Sequence, residues 1–203
     1  MLYDEPDLVD EIIQHMVDMT CEIIERTLPL IKGKIRIGHF WEDICFRSVP
    51  MISPAYFGKH IVPRYRQIVD VIIAYCIDSI IVDCDGRKGP LIRVWLDAGI
   101  NILLPLERIF DTDPVMLRKQ YGHDLLLMGG VDKKKIALGG DEIMRELEYL
   151  APLVEEGGYI PHCDHLCPSD VTLENYRFYL MKKREIFGIP KKEERIRKSP
   201  DGL

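Results

Sequence analysis

Apolar positions along this chain recur in two alternating rhythms. Leu8, Val9, Ile12, Ile13, Met16, Thr20, Ile23 and Ile24 fall at helical spacing. Asp4, Glu5 and Asp7 sit in or before the first turn, where a helix dipole favours negative charge, and the helix is predicted to end near Pro29. From Lys34 to Phe40 the period changes to two, which predicts a strand, with Trp41, Glu42 and Asp43 directly after it. Ser53 and Pro54 then open a second helix as N-cap and first helical residue. Ile61, Tyr65, Ile68, Val69 and Ile72 share one of its faces, and Pro63 is predicted to kink or split it.

The alternation continues to the end of the apolar pattern. Ser79-Ile80-Ile81-Val82 is a buried strand running into Asp83-Cys84-Asp85-Gly86. Leu91, Val94, Trp95 and Ala98 mark a short helix closed by Gly99. Ile100 to Leu104 is the next strand, ending in Pro105-Leu106-Glu107, and Asp113-Pro114 caps a helix that ends at Gly122. Leu125 to Met128 predicts a strand followed by Gly129-Gly130-Val131-Asp132. A helix carrying Ile143, Leu147, Leu150, Ala151 and Val154 stops at Gly157-Gly158. Tyr159-Ile160-Pro161 is a brief strand that leads into a loop, His162-Cys163-Asp164-His165. Thr172 caps a last amphipathic helix to about Phe187. Residues 189–203 form a charged tail without periodicity, expected to be disordered.

About five strands alternating with helices are the pattern of parallel βαβ units with right-handed crossovers. Two α/β architectures fit, an open doubly wound sheet and part of a (β/α)8 TIM barrel. No Gly-x-Gly-x-x-Gly fingerprint and no P-loop is present, which disfavours a nucleotide-binding open sheet.

Composition narrows the setting. The chain has 203 residues, 47% hydrophobic and 30% charged, an ordinary globular balance. A net charge of -6 gives no support for nucleic-acid binding, which usually shows a basic face. No run is apolar enough to span a bilayer, and the acidic N-terminus is unlike a signal peptide, so a cytoplasmic protein without a membrane partner is expected. The six scattered cysteines then read as thiols rather than as a disulfide framework.

Candidate chemistry gathers after the strands. Glu42 and Asp43 follow the first, Asp83 and Asp85 the second, Glu107 the third, Asp132 the fourth, and His162, Asp164 and His165 the fifth. Parallel strands bring such groups to one rim, where carboxylates raise one another's pKa, bind metals or act as acid and base. Taken singly, each acid reads first as a helix cap or turn residue. Asp83, Asp85 and His165 are ligand types suited to a divalent metal, and equally to a metal-free hydrogen-bond network.

The chain resembles the uroporphyrinogen decarboxylase superfamily, which includes corrinoid-linked methyltransferases. The resemblance runs from about Asp4 to Phe187. It is carried by Ile52-Ser53-Pro54 through Pro63-Arg64-Tyr65, Val82-Asp83-Cys84-Asp85-Gly86, Pro105-Leu106-Glu107, and Asp113-Pro114 through Tyr121-Gly122. Gly129-Gly130-Val131-Asp132 and Gly157-Gly158-Tyr159-Ile160-Pro161 to Asp164-His165 continue it. It implies that residues 1–188 form the C-terminal portion of a TIM barrel. In the methyltransferase branch a zinc held by one His and two Cys activates a thiol. Asp83, Asp85 and His165 stand at or near those ligand positions, so soft donors are replaced by hard ones.

The resemblance further implies a small methylated substrate, a corrinoid on a partner protein, catalytic roles for Glu107, Asp132 and His165, and substrate contacts from Glu42, Asp43, His162 and Asp164. A second implied reading is a non-catalytic or split subunit that works only as a homodimer or hetero-oligomer. A third is uroporphyrinogen decarboxylase itself, in porphyrin biosynthesis. His165 matches a late histidine of that branch, whereas its substrate-gripping arginines have no counterpart here.

Overall fold

A computed structural model of the chain describes residues 2–31 and 33–190. Helix α1 (Pro6–Ile31) leads to strand β1 (Ile37–Trp41). Helix α2 (Pro54–Tyr56) passes through a π turn at Phe57–Ile61 into α3 (Val62–Ala74) and then β2 (Ser79–Asp83). The chain continues through α4 (Ile92–Asp97), β3 (Ile102–Leu104), α5 (Pro114–Tyr121), β4 (Leu126–Val131), α6 (Lys133–Leu138), α7 (Gly140–Glu156), β5 (Tyr159–Cys163) and α8 (Leu173–Ile186). The predicted tail lies, from residue 191 onward, outside the described residues.

The caps act where the sequence places them. Ser53 Oγ accepts the Tyr56 N–H at 3.1 Å, Asp113 Oδ1 accepts those of Val115 and Met116 at 2.9 and 3.1 Å, and Thr172 Oγ1 accepts that of Asn175 at 3.1 Å. The Pro63 break falls one turn earlier than the proline itself. Pro63 has no N–H to give to the preceding turn, the backbone widens into the π turn at Phe57–Ile61, and the Arg64 guanidinium donates to the His60 carbonyl there.

All five strands are parallel and pair in the order β1-β2-β3-β4-β5. A doubly wound sheet reverses its strand order at a switch point. This sheet never does, so of the two architectures it matches part of a (β/α)8 barrel. The register pairs Trp41 with Asp83, Asp83 with Leu104, and Val131 with Cys163, which lines up the carboxyl ends.

Three local expectations are corrected. Gly129 and Gly130 lie inside β4, not after it. Gly130 adopts φ +77°, and a Cβ there would meet Pro114 Cγ at 2.3 Å, so the bare backbone lets the start of α5 press against the strand. His162 belongs to β5, which runs two residues past Pro161. Helix α6 follows β4 directly, and the sequence hid it because Ile136 is its single buried residue, leaving no apolar stripe.

One contiguous core joins the sheet to its helices, with Ile80, Val82, Leu103 and Leu127 from strands and Trp95, Leu147, Leu150 and Tyr179 from helices. The N-terminal side is less covered. Strand β1 is an edge among the described residues, and its Trp41 is 78% exposed. On α1 only Val17 is buried, while Ile12, Met16 and Ile23 remain about half exposed. No described helix is long and apolar enough to cross a membrane.

Candidate functional site

Parallel strands deliver the residues that follow them to one rim, and here much of that rim is stapled by its own carboxylates. Asp164, 2% exposed, accepts the backbone N–H of Arg108 at 3.0 Å and that of Lys133 at 3.2 Å, so it joins the segments after β3, β4 and β5. The Lys133 ammonium stands 3.6 Å from the same carboxylate. Glu107 Oε2 accepts the Gly86 N–H at 2.7 Å, tying the β3 end to the turn after β2. Asp132 caps α6 by accepting the Lys134 N–H at 2.8 Å, and its own N–H donates to Glu146 at 3.1 Å.

The other rim groups are held more loosely. His165 Nε2 lies 3.2 Å from Asp85 Oδ2, and His39 Nε2 lies 3.5 Å from Asp83 Oδ2. Asp43 Oδ1 accepts the Asp85 N–H at 3.5 Å. The Tyr65 hydroxyl donates to Glu42, whose carboxyl burial pushes above its ordinary range. His162 Nδ1 is 2.7 Å from the Cys163 carbonyl, and burial lowers its pKa.

Two adjoining cavities open on this rim. One of about 550 Å³ is lined by Glu107, Asp132, Asp164 and His165 together with Arg47, Arg108, Lys133 and Lys134. The other, of about 680 Å³, is lined by Trp41, Asp43, Asp83, Asp85, His162, His165 and Tyr176. Asp85 and His165 belong to both. Of the residues singled out by sequence, the rim cavities therefore gather all but Glu42, which faces a groove of about 410 Å³ between α1 and β1.

Buried polar groups support the rim from behind. Lys88, fully buried, donates to the Pro105 carbonyl at 2.7 Å, and burial lowers its pKa. The Cys45 and Cys84 thiols share a hydrogen bond, which favours the thiolate on Cys84 and disfavours it on Cys45. Glu146, also buried, is raised by desolvation despite Arg108 Nη1 at 3.8 Å. All six cysteines are free thiols.

The ligand set implied for a metal is not assembled. Among the described residues, no group of three or more His, Cys, Asp or Glu side chains is placed to hold an ion. Asp83 turns to His39 while Asp85 turns to His165. The donors present do not fit zinc, which wants three or four converging ligands.

Sequence reasoning passed over Arg108, Lys133, Trp41 and Tyr176. Arg108 and Lys133 carried a signal, since each directly follows a singled-out acid. Trp41 directly follows a predicted strand, but Tyr176 reaches the rim from α8, and only the tertiary fold brings it there.

No family model matches the chain, and no curated protein matches it. Among solved structures it is similar to a methyltransferase from Methanosarcina mazei, at a TM-score of 0.63 and 15% identity over 91% of this chain. The chain spans about half, 51%, of that methyltransferase. At this identity the likeness is one of fold: a partial barrel architecture whose strand ends form the rim described above.

Proposed function

We propose that the chain is a methyltransferase-like relative of the uroporphyrinogen decarboxylase superfamily. On this reading it is a cytoplasmic protein that holds a small methylated molecule at the carboxyl-end rim. The observation that carries the reading is the Asp85–His165 pair, 3.2 Å apart, placed where both rim cavities meet. The fold likeness to a methyltransferase supports it.

Methyl transfer moves a methyl group as a cation equivalent and leaves its electron pair on the heteroatom. A corrinoid on a partner protein would supply the accepting nucleophile. This chain's residues do the rest. Asp85 engages His165 Nε2, which leaves Nδ1 facing the departing heteroatom: a methoxy or thioether donor leaves as an anion and takes a proton there, whereas a methylated ammonium leaves as a neutral amine, takes no proton and is only positioned by the pair. Glu107 fixes the turn that carries Asp85 through its bond to Gly86, and Asp164 fixes the loop that carries His165.

The test incubates the protein with methylated amines, thioethers and methoxy compounds in the presence of free reduced corrinoid. Loss of the donor methyl is followed by proton NMR. Demethylation of at least one donor, abolished in His165→Ala and strongly slowed in Asp85→Asn, is expected. Intact donors throughout, or turnover indifferent to both variants, refutes the reading.

A second reading is favoured by a specific observation, the partly bare α1 stripe beside an edge strand. Exposed apolar faces and unpaired edges are features that proteins cover. On this reading the rim works only in a homodimer or hetero-oligomer.

A further inference from the structure

The two rim cavities differ in charge. The cavity of about 550 Å³ mixes four basic side chains with its acids. The cavity of about 680 Å³ has Asp43, Asp83 and Asp85 in its wall and, among the described residues, neither lysine nor arginine. Two ammonium groups lie behind that wall: that of Lys88, bonded to the Pro105 carbonyl, and that of Lys183, which donates to the Pro161 carbonyl beside His162. Two ammonium groups against three carboxylates still leave the cavity negative. Burial also holds His162 toward its neutral form, so that imidazole adds no opposing charge at neutral pH.

The remaining walls are aromatic and aliphatic. Trp41, 78% exposed, stands at the β1 end, and Tyr176 at the β5 end, with Leu104, Pro105 and Leu166 between. A neutral apolar ligand would gain from those walls but would bury carboxylates without compensation, and an anion would be repelled. A compact hydrophilic cation such as a bare ammonium would satisfy the acids but waste the aromatic surface. A cation wrapped in methyl groups satisfies both, because its charge is spread over carbons that lie against ring faces.

We propose that this cavity takes its ligand by a methylated ammonium group, with Trp41 and Tyr176 against the N-methyl carbons and Asp43, Asp83 and Asp85 supplying the counter-charge. This names a substrate class for the methyl-transfer reading and rests on it: the methyl to be moved is carried on nitrogen. The nitrogen then lies beside the Asp85–His165 pair, and the remainder of the molecule extends past it into the second cavity, which both residues share.

The test is calorimetric titration of the full chain with choline and with its neutral isostere, in which a quaternary carbon replaces the quaternary nitrogen. The two match in shape and differ in charge. Choline is expected to bind at least ~10-fold more tightly, the scale of one desolvated cation–π contact plus partly exposed ion pairs. Trp41→Leu is expected to weaken choline by ~3- to 30-fold while leaving the isostere within about 2-fold. Asp43→Asn is expected to act in the same selective way. Circular dichroism and urea unfolding confirm that each variant is folded, and Trp41 is exposed enough for its replacement to be tolerated. Equal binding of the two probes, binding of neither, or choline affinity unmoved in both variants overturns the proposal.

These outcomes separate from those of the methyl-transfer test. Choline binding without demethylation of any donor upholds the ammonium site and sinks the transferase reading. Demethylation of thioethers alone, with no ammonium bound, does the reverse.

Discussion

Asp164 is a buried carboxylate that staples three rim segments, and its removal has a size that can be worked out. Substitution by alanine leaves the N–H groups of Arg108 and Lys133 without their acceptor, in a place where the side chain is 2% exposed. Each buried donor left unpaired costs roughly 1–3 kcal/mol. The Lys133 ammonium is 22% exposed and 3.6 Å away, so water replaces most of that ion pair and it adds little. Asp164→Ala is therefore expected to lose about 4 kcal/mol, the middle of the summed range. With a urea m-value near 2 kcal/mol per molar, the unfolding midpoint falls by about 2 M. Asp164→Asn keeps one acceptor oxygen and presents an amide N–H to the other donor, so roughly half that loss is expected. Trp95, 1% exposed, reports unfolding by fluorescence. A midpoint for Asp164→Ala within ~0.3 M of the parent would mean that the three rim segments hold together without this carboxylate, and the stapling argument would fail.

Four other outcomes follow from the same geometry. Gly130→Ala puts a Cβ 2.3 Å from Pro114 Cγ at φ +77° and is expected to cost about 2–4 kcal/mol in urea unfolding; a cost below ~1 kcal/mol would contradict the close packing. Burial sets the folded pKa of His162 below the ordinary imidazole value of 6.5, so the unfolded chain binds more protons in that window and stability falls as pH drops from 6.5 through the folded value. His162→Gln should flatten this slope, and an unchanged pH profile of unfolding would remove burial as its cause. The Cys163 thiol is pushed up to about 12 by burial while Cys167, with its sulfur 3.7 Å away, is exposed; iodoacetamide at mildly alkaline pH should alkylate Cys167 and spare Cys163 in a peptide mass map, and the opposite order would refute this. If the bare α1 stripe is an assembly face, light scattering gives a mass above the monomer at micromolar concentration, and Met16→Glu shifts it down; a stable monomer in the parent rules that out.

The elements that the sequence made legible are those with a strong periodic signal and a cap. Ser53, Asp113 and Thr172 were readable because capping is local: the side chain and the N–H it satisfies are two or three residues apart. Helix α6 was not, since it buries Ile136 alone and leans on Asp132 as cap rather than on an amphipathic face. The length of β5 was hidden for a different reason. Its burial alternates Tyr159 in, Ile160 out, Pro161 in, and the proline reads as a stop although it sits at a sheet edge that tolerates it. Arg118 was silent too. Buried within α5, it donates to the carbonyls of Gly122, Gly157 and Gly158 at 2.6, 2.9 and 3.1 Å, and so joins two turns far apart in sequence.

The rim shows why acids after parallel strands divide between structure and chemistry. Asp132 is followed at once by a helix, whose first N–H groups claim it. Glu107 and Asp164 are claimed across the sheet by the N–H groups of Gly86, Arg108 and Lys133. Asp83 ends β2 and Asp85 follows it in a turn that leads to Gly89, with no helix start close enough to use them, and among the described residues the side-chain partner of each is a histidine. Asp43 lies in the open segment between β1 and α2 and accepts one long bond. Donor supply thus sorts the acids: where a nearby helix start or a neighbouring strand's loop offers backbone N–H groups, the carboxylate becomes a staple. Where none is offered, its lone pairs stay available to a ligand. Of the acids left over by this rule, Glu42 turns to the Tyr65 hydroxyl, and Asp43, Asp83 and Asp85 line the cavity beside Trp41 and Tyr176.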